Sequence, residues 1–477
     1  MRCICVLTRL ICKVSIPVST QSDEWTTAEV LREEFIHKQS LLDTVITTAQ
    51  LENEQDAAVE LSALFLGHVS ASLDKDPQSA PARTALLLNL LKHFTSSYLA
   101  TKDIHSLAAS YDTETRKAVI SAYISAVAAL QQRDITFPRQ PESALLNAAS
   151  SNKASIFALF GGQGTNEVYF DELQSLYDVY KPFVASFLKT VTEDGLVPLA
   201  TEHEAFPFYT FGLDVVSWLS GETSRPSVAY LASVPVSLPL IGLTQLVQYL
   251  VVCHVSGLSP GEFRSRIAGA TGHSQGIVAA VAVAASGTFE EFTNNSIKAL
   301  RWLFFCGLRG QHAFPVTSVE SSIVQDATEG GEGTPSPMLS VTGLGLKELQ
   351  PHITKTNKHL PENSQLFVSL HNGPKAFVVT GPPKALFGLV TSLRKVKAPS
   401  GLDQSKTPFS QRKPVFSIRF LVVGVPYHSD YLKGATEKLL LEDLGGKELW
   451  EAKDLKISVF NTEDGSLHDF ACQRFVH

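Results

Sequence analysis

Cysteine is scarce in this chain and poorly spaced for metal or redox chemistry. Six occur in 477 residues, at Cys3, Cys5, Cys12, Cys253, Cys306 and Cys472. No two make a C-x-x-C pair, and no histidines join them at zinc-ligand spacing, so neither a metal site nor a disulfide framework is expected. A reduced intracellular setting, the cytoplasm, is the matching expectation. Charge is also modest, at 18% of residues with a formal net of −7, and no long basic block occurs. Nucleic acid is therefore not an expected partner. The phosphate loop G-x-x-x-x-G-K-[ST] is missing. The loop Gly161-Gly162-Gln163-Gly164-Thr165 lacks the third glycine of G-x-G-x-x-G, and no acidic residue stands on a following strand end, which excludes the dinucleotide fingerprint.

Clean apolar runs of membrane length are lacking too. Met1 to Val18 is apolar, but Arg9 and Lys13 interrupt it, so it reads as an N-terminal strand at Ile11–Val18 rather than a signal peptide. Leu240 to Leu258 contains Thr244, Gln245, Gln248 and His254 and is flanked by Pro239 and Pro260. That pattern suits a buried helix, and no membrane span is expected.

What is present is a chain of 44% apolar residues, long enough for about two to four domains. Residues 1–150 carry apolar residues at helical spacing in Leu61–Leu73, Ala82–Leu99 and Thr115–Leu130. At Lys153 the texture changes. A short apolar run ends in Gly161-Gly162-Gln163-Gly164, and a helix follows from Tyr169 to Val191, kinked at Pro182. Strand, glycine loop and helix open an α/β domain. Ser296–Arg309 reads as a buried helix, and Glu320–Pro337 as a polar loop. Then comes a compact series: strand Met338–Thr342, helix Leu346–Asn357, strands Gln365–Leu370 and Ala376–Thr380 joined at His371-Asn372-Gly373, helix Lys384–Val396, and strand Val415–Val423. The order β-α-β-β-α-β is a ferredoxin-like unit. The expected organisation is a helical domain at 1–150, an α/β core at 151–336 and 424–477, and a ferredoxin-like subdomain at 337–423 inserted in that core.

The chemistry concentrates at Gly272-His273-Ser274-Gln275-Gly276. The apolar stretch Ile267–Thr271 precedes it and the small-residue helix Ile277–Ala285 follows. Strand, tight turn and helix are the setting in which a G-x-S-x-G serine becomes a nucleophile. The turn leaves no room for side chains at 272 and 276. The N–H of Gln275, at the helix start, is placed to stabilise an oxyanion. A serine nucleophile needs a base, and seven histidines follow it. His428 is singled out because Val425-Pro426-Tyr427-His428-Ser429 lies just after a strand, where an α/β fold gathers its site residues. The residues alone leave the other histidines open.

Gly161-Gly162-Gln163-Gly164, Gly272-His273-Ser274-Gln275-Gly276 and Pro426-Tyr427-His428-Ser429, in that order, resemble the signature of the malonyl/acyl-CoA:ACP transacylases. Within that superfamily the chain is most similar to the N-terminal part of the fungal type I fatty acid synthase β subunit. Asp103-Ile-His-Ser-Leu-Ala, Ser259-Pro-Gly-Glu-Phe-Arg-Ser and the long run from Lys397 to Lys413 support this, and the resemblance extends from about residue 10 to about 466.

The resemblance implies an acyltransferase fold, an α/β-hydrolase-like core with the inserted subdomain, preceded by the helical region. It implies Ser274 as the acylated nucleophile and His428 as base and then acid. It implies Gln163 and Gln275 as backbone oxyanion donors, and the backbone of Asn461 as the group that orients the histidine. The enzyme would hold no cofactor. Acyl-CoA would be its substrate, the phosphopantetheine of an acyl carrier protein its acceptor, and other fatty acid synthase subunits or domains its partners.

Malonyl-transferring relatives carry an arginine before a glycine on the helix after the nucleophile, and the matching dipeptide here is Cys306-Gly307. Cysteine offers a malonyl carboxylate no charge, so an unpaired carboxylate would cost several kcal/mol to bury. Acetyl or a short neutral starter is the expected cargo. Arg309 is the residue that would compensate, although its face differs by roughly 60°.

Family members continue beyond Asn461–Ser466 with another strand and helix and with further domains. Residues 467–477 and about 1–10 do not resemble them, so a shortened product is also expected. The alternatives are a serine hydrolase, with Asp326 or Asp403 as the acid of a triad, and an inactive fragment that assembles with other synthase chains. The basic loop of Arg394, Lys395, Lys397, Lys406, Arg412 and Lys413 reads as a solvated connection, or as an attractor of CoA phosphates or of an acidic carrier.

Overall fold

The computed structural model describes residues 54–73, 75, 80–137, 143–164, 166–202, 207–399, 401, 403–405, 407–462 and 465–466. The expected strand at Ile11–Val18 and the residues 467–477 lie outside these. The chain divides into two compact units. The first is Met1–Ser151 with Gln174–Phe187 and Leu250–Gly257; the second is Asn152–Leu173, Leu188–Tyr249 and Leu258–His477.

The first unit is helical where it is described, with α1 (Glu54–Ser72), α2 (Ala80–Tyr98), α3 (Ile104–Ala108), α4 (Thr113–Gln131) and α5 (Ala144–Ser150). Leu66, Leu87, Leu91, Phe94, Ile104 and Leu130 are fully buried among them. Gly67 lets α1 press on α4, since a Cβ there would lie 3.0 Å from that of Ala122. Aspartates start two of the helices. Asp103 accepts from the N–H groups of His105 and Ser106, and Asp112 from those of Glu114 and Thr115.

Among the described residues the second unit holds two sheets. The first contains β1 (Phe157–Phe160), β2 (Gly269–Gly272) and β7 (Val459–Phe460), all parallel, in the order β1-β2-β7. Helix α8 (Gly276–Ala284) packs on it, and the chain also forms α6 (Tyr169–Thr190), α7 (Val234–Ser256), α9 (Phe289–Ala313) and α10 (Ser321–Glu329). Helix α6 leaves helical geometry at Tyr180, two residues before Pro182, because proline removes an N–H and crowds the preceding turn. Helix α7 is long and apolar enough to cross a membrane by length and composition, and 89% of its apolar window is buried within the fold. Small residues let α8 sit close on the sheet: Ala280, Val281 and Ala284 pack with Ala270 and Val459.

Helix α10 lies where the sequence reads as a loop. Its apolar residues Ile323, Val324 and Ala327 are too few to stand out among polar neighbours. Ala327 is nonetheless fully buried against the second sheet's core.

That second sheet is antiparallel, built from β3 (Met338–Thr342), β4 (Phe367–Gly373), β5 (Ala376–Thr380) and β6 (Ser417–Phe420) in the order β4-β5-β3-β6. Helix α11 (Leu346–Asn357) joins β3 to β4, and α12 (Pro383–Arg394) joins β5 to β6. The connectivity is β-α-β-β-α-β. The two sheet faces separate by alternation. Leu339, Val341, Phe377, Val379, Ile418 and Phe420 pack with Leu349, Ile353, Leu386 and Leu389 of the helices. Met338 and Val378 pack on the other side with Val234, Val423 and Val425. The chain leaving β6 along this side runs directly into His428.

Candidate active site

The three parallel strands deliver three segments to one rim. β1 ends in Gly161-Gly162-Gln163, β2 in His273-Ser274, and β7 in Asn461. In open α/β sheets this carboxyl rim is where ligands bind. The turn after β2 is tightly wound. Ser274 has φ +52°, in the left-handed region that non-glycine residues seldom adopt. A Cβ at Gly272 would lie 2.1 Å from the carbonyl carbon of Gly276, and one at Gly276 would lie 2.3 Å from the carbonyl oxygen of Phe160. No side chain fits at either place. The His273 N–H donates to the Phe160 carbonyl at 2.9 Å, which ties the elbow to the end of β1.

Ser274 Oγ lies 2.9 Å from His428 Nε2, across 154 residues of sequence. His428 also has a left-handed backbone, with φ +60°. Burial, and to a smaller extent the neighbouring His273, holds its pKa below the ordinary imidazole value. The ring is therefore neutral near neutral pH, and Nε2 can accept the serine proton.

Gly162 lies against the elbow, for a Cβ there would be 2.8 Å from His273 Nδ1 and 3.1 Å from Ser274 Cβ. This brings the Gln163 backbone beside the nucleophile. Gln275 opens α8, so its N–H has no carbonyl a turn earlier in the helix to bond. Neither this N–H nor that of Gln163 finds an acceptor among the described residues. These are the two N–H groups expected from the sequence to hold a tetrahedral oxyanion.

The model of the family "Starter unit:ACP transacylase in aflatoxin biosynthesis" matches residues 158–414, and that of the "N-terminal domain in fatty acid synthase subunit beta" matches residues 5–130. The chain belongs to the starter unit:ACP transacylase family. It is 41% identical over 422 residues to the fatty acid synthase subunit beta of Saccharomyces cerevisiae, covering 87% of this chain and 20% of that protein. It is 41% identical over 456 residues to the Schizosaccharomyces pombe subunit, covering 94% and 21%. The chain spans about a fifth of the length of the curated relatives it matches. A solved MCAT from Streptococcus pneumoniae aligns over 65% of this chain and 76% of its own at 16% identity, with a TM-score of 0.40.

Cys306 and Asn461 are the remaining residues expected at this site. The Tyr427 hydroxyl, on the residue before His428, donates to the Cys306 carbonyl at 3.4 Å. Burial pushes the Cys306 thiol up to about 12, so it is neutral. Arg309 does not compensate for the missing charge. Its Nε and Nη2 donate to Asp443 Oδ2 and Oδ1 at 2.8 and 2.6 Å, a bidentate pair with little exposure on either side.

Asn461 follows β7 directly; its carbonyl accepts from the Gly465 N–H at 3.0 Å and its own N–H donates to the Ser466 carbonyl at 2.8 Å. Among the described residues no carboxylate is hydrogen-bonded to His428. Asp326 is paired with Arg394, and Asp403 accepts from Ser405. The triad expected of a hydrolase is therefore not assembled from either aspartate.

The basic loop is partly absorbed by structure. Arg394 also grips the buried Glu332 at 2.6 and 3.0 Å, and Arg412 donates to the carbonyls of Ser405 and Thr407. Lys406 lies outside the described residues.

Two residues near the site carried no functional signal in the sequence. Asn372, which reads there only as hairpin chemistry, places its Oδ1 3.0 Å from His273 Nε2 and so links the antiparallel sheet to the elbow. Ser237 sits within the apolar helix α7 and meets Gln163.

Proposed function

We propose that this chain transfers acetyl, or a short neutral starter acyl group, from CoA to the phosphopantetheine thiol of an acyl carrier protein during fatty acid synthesis. The observation that carries the reading is the 2.9 Å contact between Ser274 Oγ and His428 Nε2 at a strained elbow.

The chemistry is ping-pong. His428 takes the Ser274 proton as Oγ adds to the thioester carbonyl. The N–H groups of Gln163 and Gln275 hold the oxyanion, each such donor being worth about 3 kcal/mol of barrier. The C–S bond breaks, and His428 returns the proton to the leaving CoA sulfur. An acyl-serine remains. A pantetheine thiol then gives its proton to His428 and attacks the ester, and Ser274 Oγ leaves as the hydroxyl. A Ser–His dyad suffices for both halves. No charge relay through a carboxylate is needed.

Selectivity for a neutral cargo is supported by Cys306, a neutral side chain where malonyl-transferring relatives carry arginine, and by the engagement of Arg309 with Asp443. A malonyl carboxylate would be desolvated without a partner. Intact-mass measurement after mixing with equimolar acetyl-, propionyl-, butyryl- and malonyl-CoA tests the proposal. A neutral acyl adduct is expected on the parent chain and none on Ser274→Ala. A dominant malonyl adduct, or an adduct that survives Ser274→Ala, would overturn it.

A further inference from the structure

An oxyanion donor works only if it is already in place, 2.7–3.1 Å from where the charge will develop. The Gln163 N–H is carried by a segment with glycine at 161, 162 and 164, which has little conformational stiffness of its own. Something outside the segment must fix it.

Helix α7 supplies that anchor at two points. Gln163 Nε2 donates to Ser237 Oγ at 3.2 Å. Asn166 Nδ2 donates to the same oxygen at 3.3 Å, while Asn166 Oδ1 accepts from the Gly164 N–H at 3.2 Å. Eight residues along the helix, Gln245 Nε2 donates to the Gly161 carbonyl at 2.7 Å. Ser237 and Asn166 are both fully buried. A hydroxyl has two acceptor sites, so two donors saturate Ser237 Oγ. Its neutrality also suits the place, because a carboxylate there would oppose the charge that forms at the oxyanion.

We infer that Ser237, with Asn166, is a positioning residue for acyl transfer: a buried hub that fixes the Gln163 N–H in register with Ser274. This rests on the acyltransfer reading given above. Neither residue touches the reacting atoms. Ser237→Ala leaves the buried Asn166 amide and the half-buried Gln163 amide without their acceptor, and the glycine segment is free to relax. A displacement of about 1 Å at a catalytic group costs on the order of a hundredfold in rate.

The test is single-turnover acetylation of the full chain from acetyl-CoA, followed by intact mass against time at several acetyl-CoA concentrations. Ser237→Ala is expected to lower the maximal acylation rate by about 10- to 100-fold while the half-saturating concentration stays within about threefold. Gln163→Met removes the same bond from the other side and keeps the backbone N–H, so it should show the same split. The double variant should be no slower than either single one, as expected for one shared interaction. Acylation of Ser237→Ala within twofold of the parent, or losses that multiply in the double variant, would overturn the inference. Should Ser237→Ala fail to fold, a Gln163→Met chain that acylates at the parent rate overturns it equally. A parent chain that takes up no acyl group sinks the function reading and this inference together; a parent that acylates beside indifferent variants sinks the inference alone.

Discussion

Arg309 and Asp443 form a bidentate pair, 2.6 and 2.8 Å between guanidinium nitrogens and carboxylate oxygens, with side-chain exposures of 12% and 6%. The arginine lies one helical turn beyond Cys306, and its charge is engaged by Asp443. Truncating one partner of such a pair leaves the other charge buried, typically at a cost of about 3–5 kcal/mol. Arg309→Met should therefore lower the urea midpoint strongly, and the ratio of acetyl to malonyl uptake in the chains that remain folded should not change. A shift of that ratio toward acetyl would show that Arg309 does meet the cargo.

Cys306 should set chain length rather than charge. Cys306→Ala removes the sulfur and leaves room for about one methylene. Uptake of propionyl or butyryl relative to acetyl should rise about tenfold, the usual scale for a methylene in an apolar pocket. Malonyl should remain excluded. Competition among the CoA esters, read by mass, measures both.

The pH dependence follows from His428. Its pKa is held below the ordinary imidazole value, first by burial and then by His273. The neutral ring is the active base, so kcat/KM should rise with pH along a limb centred below 6.5 and be flat near neutrality. His273→Gln removes the second contribution, and the limb should move upward. Stability has the same sign. Below 6.5 the unfolded chain takes up the proton before the folded one does, so acidification destabilises the fold as pH falls through the folded-state pKa. A limb that stays in place in His273→Gln would refute the assigned cause.

The elbow glycines should tolerate nothing larger. In Gly276→Ala the new Cβ would meet the Phe160 and Gly161 carbonyl oxygens at 2.3 and 2.5 Å. Both are backbone atoms that cannot swing aside. A loss of about 3 kcal/mol is expected, together with loss of acylation, since the clash separates β1 from the turn that carries Ser274. Thermal melting and the acylation assay together check this. A variant with parent-like melting and acylation would mean that the elbow is looser than its geometry implies.

Local chemistry made much of this molecule readable from its residues. The glycines at 272 and 276 announced the serine turn because only glycine survives that close an approach. The β-α-β-β-α-β series was legible because each segment carried its own period and turn residues. Helix α10 was not legible, because a single buried alanine decides it and that burial depends on a sheet far along the chain.

The sequence by itself determined the tight turn around Ser274 and the absence of an arginine at 306, since each follows from residue types a few positions apart. The tertiary structure alone decided what met across long stretches of chain. It brought Ser274 to His428, committed Arg309 to Asp443 and placed Ser237 under Gln163. Those pairings lie between about 70 and 150 residues apart. No local period or propensity encodes them; they arise when strands and helices pack and buried polar groups must find partners.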